Sequence, residues 1–298
     1  DADISNQMAL SAARRKNQFS IMMCCNFLSM RMAVLNGDFS EMNKISLESR
    51  ELLYKEQEYA LLNTLDMCLG FIYALLGHPE LAPKWMAEGQ IDEALVMFPA
   101  TPMLHTFYNQ LLLAQGEWTQ FLARKEECEG LYNIFNNVLC SIWLHIQTAS
   151  ALKMIDRKEE ASKELKLALD MAVPDMIIMP FAESEYYILD LLKEFQASGI
   201  YEKEIEEIVV LSEKFNSSRQ KICQEHFGEY GDYGLSEREL GIAILAAKRK
   251  TNSEIAEKLH LAEGTVRNQL SRIFDKLGIE EQGKNKRLAL EKLLKIKK

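Results

Sequence analysis

The sequence predicts an all-α protein in which an array of about five helical hairpins precedes a small domain of four helices. Three observations support this prediction. Apolar residues recur at spacings of three and four along most of the chain, and the alternation typical of strands is nearly absent. Short turn sequences interrupt the helices at a nearly constant interval. The balance of charge also changes sign near residue 235, which indicates two parts with different partners.

Residues 1–226 carry the predicted hairpins. Long helical segments run over Glu58–Leu76 and Val138–Met154, and turn residues separate such segments. The turn markers are Gly37, Gly77, Gly116, Asp156 and Gly199, at intervals of 40, 39, 40 and 43 residues. A single hairpin cannot bury its apolar face alone, so several are expected to stack into a superhelix. A non-repetitive helical bundle remains the alternative.

Residues 227–234 are predicted to be the linker between the two parts, because three of these eight residues are glycine. The following domain, residues 235–298, holds 15 Lys and Arg against 9 Asp and Glu. Residues 1–234 hold 20 against 35. The basic domain therefore suits a polyanionic partner. The acidic array would repel the same partner.

Several classes of function are disfavoured by what the sequence lacks. The six cysteines form no C-x-x-C pair and the five histidines are scattered, so we expect reduced thiols and no metal site. No phosphate-binding G-x-x-x-x-G-K-[ST] motif and no nucleophile motif occur, so we expect no cofactor and no enzyme activity. No run of eighteen apolar residues and no secretory pattern occur, so we expect a cytoplasmic protein with no membrane partner.

The C-terminal domain begins with two predicted helix starts. Ser236 and Glu239 have the spacing of a capping box, and Thr251 and Glu254 repeat this spacing before a short helix over Asn252–Leu259. A tight turn follows at residues 260–262. A longer helix is then predicted from Glu263 to about Leu277, where Gly278 ends it. A short helix, a brief turn and a longer helix make a helix-turn-helix unit.

The longer helix of this unit has two different faces. At 100° per residue, an apolar stripe of Val266, Leu270, Ile273 and Leu277 falls on one side and should be buried. The opposite side presents polar residues near the N-terminus of the helix, flanked by cations. This arrangement suits a recognition helix in the major groove of DNA.

Four stretches of this domain resemble the LuxR/FixJ-type DNA-binding module. They are Leu-Ser-Glu-Arg-Glu-Leu at 235–240, Thr-Asn-Ser-Glu-Ile-Ala-Glu-Lys-Leu at 251–259, Thr-Val-Arg-Asn-Gln-Leu at 265–270 and Lys-Leu-Gly-Ile at 276–279. The resemblance implies a transcription regulator that binds double-stranded DNA. One departure is Ala262, where the family usually has Ser or Thr, so that an N-cap worth about 1 kcal/mol is lost.

The resemblance also implies roles for particular residues. Contacts with base edges are implied for Arg267, Asn268 and Ser271. Contacts with phosphates are implied for Asn252, Thr265, Arg272 and Lys276. The last helix, around Leu290 and Leu293, is implied to pair two copies of the chain, so a homodimer is expected on DNA.

The order of the two parts resembles the MalT-like regulators, in which an ATPase switch domain precedes a superhelical sensor and the DNA-binding module comes last. The hairpins themselves resemble tetratricopeptide repeats (TPR) loosely, since their period exceeds the usual value of about 34 residues. A switch domain is expected either upstream of residue 1 or not at all. A small-molecule or protein effector is expected to bind the array, with Trp118, Trp143 and Tyr186 as candidate groove residues.

The sequence therefore predicts a sequence-specific DNA-binding transcription regulator whose helical array binds an effector. An alternative is a protein-interaction scaffold that uses the array for binding and the C-terminal helices mainly for dimerisation.

Overall fold

A computed structural model describes residues 2–227, 237–259, 261–277, 279 and 285–293. The regular structure of these residues is helical throughout, which confirms the predicted all-α class. The chain divides into two compact units, Asp1–Ile222 and Cys223–Lys298, close to the predicted boundary at residue 226. Most of the predicted linker, residues 228–234, lies outside the described residues.

The described part of the first unit contains thirteen α-helices. They are α1 (Ala2–Arg15), α2 (Phe19–Leu35), α3 (Phe39–Lys55), α4 (Leu62–Leu76), α5 (Lys84–Ala87), α6 (Thr101–Gln115), α7 (Trp118–Ala123), α8 (Lys125–Ile134), α9 (Val138–Met154), α10 (Lys158–Ala172), α11 (Met179–Glu183), α12 (Glu185–Ala197) and α13 (Glu202–Ile222).

The five predicted turn markers all adopt a positive φ, with values of 70° at Gly37, 80° at Gly77 and Gly116, 64° at Asp156 and 72° at Gly199. This left-handed conformation lets the chain leave a helix, and glycine adopts it without steric cost. Such turns let consecutive helices pack against each other as hairpins, as α2 does with α3, α9 with α10, and α12 with α13. The number of TPR-like repeats remains a prediction.

The second hairpin departs from the prediction. Gly77 was expected to separate two long helices, but between Gly77 and Thr101 the chain forms only the one-turn α5 and three 3-10 turns. These turns are Pro79–Leu81, Ile91–Glu93 and Phe98–Ala100. Pro79, Pro83 and Pro99 explain the difference, because each lacks a backbone donor and disfavours helix in the residue before it.

The core of the first unit contains four aromatic rings from four different helices. Phe71 of α4 and Phe107 of α6 are stacked with centroids 4.3 Å apart. Phe27 of α2 lies 5.1 Å from Phe107, and Trp143 of α9 lies edge-on to Phe71 at 5.4 Å. Trp143 is only 2 % exposed. Its expected place in an open ligand groove is therefore corrected, because the indole ring fills the core between helices.

A buried ion pair adjoins these rings and joins two distant parts of the array. The guanidinium of Arg31 on α2 donates to both carboxylate oxygens of Glu183 on α11, at 3.0 and 2.5 Å. The side chain of Glu183 is 1 % exposed. Burial raises the pKa of this carboxyl and Arg31 opposes the rise. Arg31 also lies 5.6 Å from the centroid of the Phe27 ring, where a cation is attracted to the π face.

The array closes on itself, since its last helix packs against its first hairpin. Ser218 of α13 donates to the backbone carbonyl of Leu35 at 2.8 Å, and Lys214 donates to Asn36 at 2.8 Å. A Cβ atom on Gly37 would lie 3.3 Å from the Lys221 side chain. The α2–α3 turn is therefore covered by α13, and the stack of helices has contacts between its two ends.

One segment of the described chain, Tyr59–Leu76, is long and apolar enough to cross a membrane by length and composition alone. Within the array, 61 % of this segment is buried. Its apolar residues are thus accounted for by packing in the core, and they supply no clear membrane span.

The buried ion pair should stabilise the array far more than exposed pairs do. We expect Glu183→Ala to lower the free energy of unfolding by about 3 kcal/mol, because it leaves Arg31 unpaired in a largely buried position. Urea unfolding followed by tryptophan fluorescence measures this effect, since all three tryptophans lie in the array.

The matched control is Glu194→Ala, which removes one partner of the exposed Lys158–Glu194 pair. We expect it to cost less than about 1 kcal/mol. Equal and small effects of the two substitutions would contradict the role assigned to Arg31 and Glu183.

Candidate nucleic-acid interface

The described part of the second unit contains four α-helices: α14 (Glu237–Ala247), α15 (Asn252–Lys258), α16 (Glu263–Lys276) and α17 (Asn285–Leu293). A single core joins them, since α14 packs against α16 and α17, and α15 packs against α16. The buried residues of this core are Ile242, Ala243, Ala246, Ala247, Ile255, Ala256, Val266, Leu270, Ile273, Phe274, Ile279 and Leu290.

The amphipathic character predicted for α16 is confirmed. Val266, Leu270 and Ile273 are buried, with exposures of 0, 4 and 0 %, and Leu277 is half-buried beside them. Phe274 is also buried, which widens the apolar stripe beyond the predicted residues. This stripe fixes the rotation of α16 about its axis and therefore decides which side chains face outward.

The outward face of α16 carries the residues predicted to read DNA. Arg267, Asn268, Ser271 and Arg272 are exposed, and Thr265 is half-buried. Arg267 lies 3.7 Å from Glu263, and both side chains are more than half exposed. Such a surface ion pair contributes little to stability, so the Arg267 guanidinium can exchange the Glu263 carboxylate for another anion.

A capping box holds the start of α15, as the sequence predicts. The Thr251 hydroxyl accepts from the backbone N–H of Glu254 at 3.2 Å, and the Glu254 carboxylate accepts from the backbone N–H of Thr251 at 2.7 Å. These bonds and the ammonium of Lys250 lower the pKa of Glu254 to about 2. The box is therefore ionised and complete at neutral pH, which fixes the position of Asn252 at the first turn.

The start of α16 has no such cap. The backbone carbonyl of Ala262 accepts from the N–H of Val266 at 3.2 Å, which places Ala262 directly before the helix. Its methyl side chain offers no acceptor to the first N–H groups, as expected from the sequence. The predicted N-cap Ser236 and the predicted helix end Gly278 lie outside the described residues, as does the Lys276 side chain.

A shallow cleft of about 260 Å³ lies between α15, α16 and α17. It is lined by Asn252, Arg267, Leu270, Ser271, Phe274, Lys286 and Arg287. Three of these side chains are cationic and none is a carboxylate. The cleft therefore combines polar donors with a positive potential, which suits the phosphate oxygens of a nucleic acid.

Arg287 fixes the orientation of Asn252 in this cleft. Its guanidinium donates to the Asn252 Oδ1 at 2.6 Å and also to the backbone carbonyl of Lys250. A guanidinium has only donors, so the Asn252 atom that it meets must be the oxygen. The Nδ2 group of Asn252 is then left to donate to a ligand. Burial, and next the nearby Arg249, lower the pKa of Arg287, which nevertheless stays charged.

Sequence reasoning did not single out Lys286 and Arg287. The signal was the basic run Lys-Asn-Lys-Arg at residues 284–287, immediately before and within α17. The Lys286 ammonium lies 5.2 Å from the centroid of the Phe274 ring, a cation–π contact that holds this charge against α16 in the cleft. These two cations extend the basic surface of α16 onto the last helix.

The residues predicted to pair two copies are placed differently from each other. Leu290 is fully buried in the core of its own module, so its expected role in a dimer interface is corrected. The Leu293 side chain lies outside the described residues. Leu288 of α17 is 38 % exposed, so among the described side chains of this helix it is an apolar one that is accessible for pairing.

The other candidate groove residues, Trp118 and Tyr186, lie in the array on either side of Tyr187. Trp118 is edge-on to Tyr187 with centroids 5.9 Å apart, and Tyr186 is edge-on to Tyr187 at 5.0 Å. Both are half-buried against the core formed by α9, α10 and α12. The structure thus brings these two aromatics together and leaves part of each ring exposed.

In the described part of the array, the titratable side chains do not converge on a site as the residues of the C-terminal cleft do. Within the described ranges, no three His, Cys, Asp or Glu side chains are grouped to hold a metal ion. Cys25, Cys68, Cys128 and Cys140 are buried thiols. Burial raises the pKa of Cys140 to about 11, so this thiol is protonated and unreactive at neutral pH.

The short α15, the connection of four residues after it and the longer α16 with an exposed polar and cationic face define a helix-turn-helix DNA-binding domain. Residues 234–284 match the family described as bacterial regulatory proteins, luxR family. This match supports DNA-binding transcription regulation as the function of the C-terminal module. It does not extend to the array, so the TPR-like and MalT-like resemblances remain predictions. Comparisons with curated proteins and with solved structures gave no match.

The cleft predicts an effect of Arg287 on DNA binding. We expect Arg287→Ala to weaken binding of any duplex by about five- to tenfold and to reduce the salt slope by about 1, because one phosphate contact is lost. Fluorescence anisotropy with a labelled duplex at several salt concentrations measures both quantities.

The control is Arg157→Ala, which removes an exposed, ion-paired arginine of the array and should leave both quantities unchanged. A normal salt slope for Arg287→Ala would show that Arg287 serves only to position Asn252.

Proposed function

We propose that this protein is a sequence-specific DNA-binding transcription regulator whose helical array binds an effector that controls it. The observation that carries the proposal is α16, which buries its apolar stripe and exposes donors and cations on the opposite face. The family match over the same residues supports it. A cytoplasmic location, where a bacterial protein of this kind meets DNA, is part of the proposal.

Specificity is assigned to the first half of the outward face of α16. The Arg267 guanidinium can donate to the two acceptors on guanine, and the Asn268 amide can pair with the donor and acceptor on adenine. Ser271, one turn further along, can meet either kind of edge. All three side chains are exposed, as a helix entering the major groove requires.

Phosphate contacts are assigned to the groups that flank this face. Asn252 supports the assignment through its oriented Nδ2 donor, and Arg272 through its exposure. Thr265 lies in the first turn of α16, where backbone N–H groups also attract anions. We add Arg287 to these residues, and we keep Lys276 from the sequence prediction.

Pairing of two copies on DNA is proposed through α17. Leu290 is in the core, so the proposal now depends on the exposed Leu288 together with Leu293. Two modules related by a two-fold axis would place two copies of α16 on half-sites about one helical turn apart. The half-site spacing of a selected DNA sequence would report on this arrangement.

The division of roles between base-reading and phosphate-binding side chains gives a prediction. We expect Asn268→Ala to reduce the preference for the best duplex over a one-base variant by about tenfold, because one bidentate contact is lost. We expect Arg272→Ala to weaken all duplexes alike. Competition binding of the full chain against a set of single-base variants distinguishes the two effects.

Lys84→Ala is the matched control, because it removes an exposed cation from the other unit. If the unsubstituted chain binds all duplexes equally and both module variants behave like this control, the alternative of an interaction scaffold with dimerising C-terminal helices takes the place of the regulator.

A further inference from the structure

A cavity of about 530 Å³ lies in the array between α1 and α3, over α2. One face of α1 lines it through residues 3, 7, 10 and 14, and one face of α3 lines it through residues 41, 45, 48 and 52. Both series follow the three- and four-residue spacing of a helix face. The volume is that of a small-molecule site, and none of the aromatic residues that the sequence suggested lines the cavity.

Part of the cavity wall is apolar. Met22 and Ala33 of α2 are buried at its base. Leu10 of α1, with Ile45 and Leu52 of α3, forms half-buried walls. A ligand that fills this space therefore gains from an apolar body, which removes the walls from water.

The opening of the cavity is negatively charged. Its charged side chains are Asp3, Arg14, Asp38, Glu41 and Glu48. Among these lining side chains carboxylates outnumber cations by four to one, although two further ammonium groups lie close by: Lys44 is 3.3 Å from Glu41, and Lys214 donates to Asn36, which also lines the cavity. The whole segment before residue 235 is acidic as well, so the field of the array attracts cations towards this opening.

An amide oxygen inside the cavity is likewise suited to a cationic ligand. Asn26 is 7 % exposed and lines the cavity, and its Nδ2 donates to the Ser49 hydroxyl at 2.9 Å. The Ser49 hydroxyl proton is already used, since it is donated to the Ile45 carbonyl at 2.6 Å. Ser49 must therefore accept from Asn26, which fixes the amide orientation. The Oδ1 of Asn26 accepts no hydrogen bond within the described part of the chain, so it remains an acceptor in the wall of the cavity.

We propose that this cavity binds an organic cation that carries an ammonium group on an apolar body. The apolar walls take the body, and the ammonium donates to Asn26 Oδ1 and is attracted by the carboxylates at the opening. The proposal that such a cation binds here depends only on the cavity. The role of such a cation as the effector of DNA binding rests on the proposed function above.

The test uses the full chain and three probes of equal length: octylammonium, octanol and octanoate, each below the concentration at which it forms micelles. Ligand-observed NMR and isothermal titration calorimetry measure their affinities. We expect octylammonium to bind at least about tenfold more tightly than octanoate, with octanol between them.

Variants place the binding in this cavity. Glu48→Gln removes a carboxylate at the opening, and we expect it to weaken octylammonium binding about threefold, since the group is exposed and screened. Glu51→Gln is the matched control, because Glu51 is an exposed carboxylate of α3 that does not line the cavity. It should leave the affinity unchanged.

Equal affinity for the three probes, or equal weakening by the two variants, would overturn the proposed ligand class and site. Duplex binding by the same samples without a probe is measured in parallel. Normal duplex binding together with no preference for octylammonium would reject the cavity proposal and leave the DNA-binding function intact.

Discussion

The packing of Val266, Leu270 and Ile273 into the core of the C-terminal module is the constraint on which the candidate interface depends. Burial of each such side chain stabilises the module by about 1.5–3 kcal/mol. Rotating α16 about its axis would expose these residues and bury cations instead, at a much larger cost. The apolar stripe thus holds Arg267, Asn268 and Ser271 at the surface before any DNA is present, so little reorganisation is needed on binding.

In the C-terminal module, neighbouring residues also fix the positions of the polar side chains. The capping box at Thr251 fixes the first turn of α15, and Arg287 orients the Asn252 amide. Arg287 comes from the last helix, so α17 takes part in the interface as well as in the core. The cations of α17 therefore lie in the same cleft as residues of α15 and α16.

Much of the module could be predicted from the sequence because its signals are local. Helix starts, the turn before α16 and the sides of that helix follow from capping residues and periodicity within a few residues. The inward position of Leu290 and the bonds of Arg287 could not be predicted this way. They depend on how α17 packs against α14 and on where Arg287 meets residues 250 and 252, which periodicity in a nine-residue helix does not determine.

The array shows the same division between local and long-range information. The turns at Gly37, Gly116, Asp156 and Gly199 could be predicted from the sequence. A helix often ends in a residue with left-handed backbone conformation, and that residue is usually one that tolerates a positive φ. The pairing of Arg31 with Glu183 spans 152 residues, and the closure of the array by α13 is similarly distant. After Gly77 the regular interval predicts a second long helix, but Pro79, Pro83 and Pro99 restrict the chain locally and only short turns form.

The most direct test of the central claim is arginine-selective chemical labelling of the full chain, followed by mass spectrometry, with and without a bound duplex. We expect Arg267 and Arg272 to react readily in the free protein and to be protected when the duplex is bound. Arg157, an exposed arginine of the array, should react equally in both samples. Unchanged labelling of Arg267 and Arg272 in the presence of bound duplex would show that the outward face of α16 does not contact DNA.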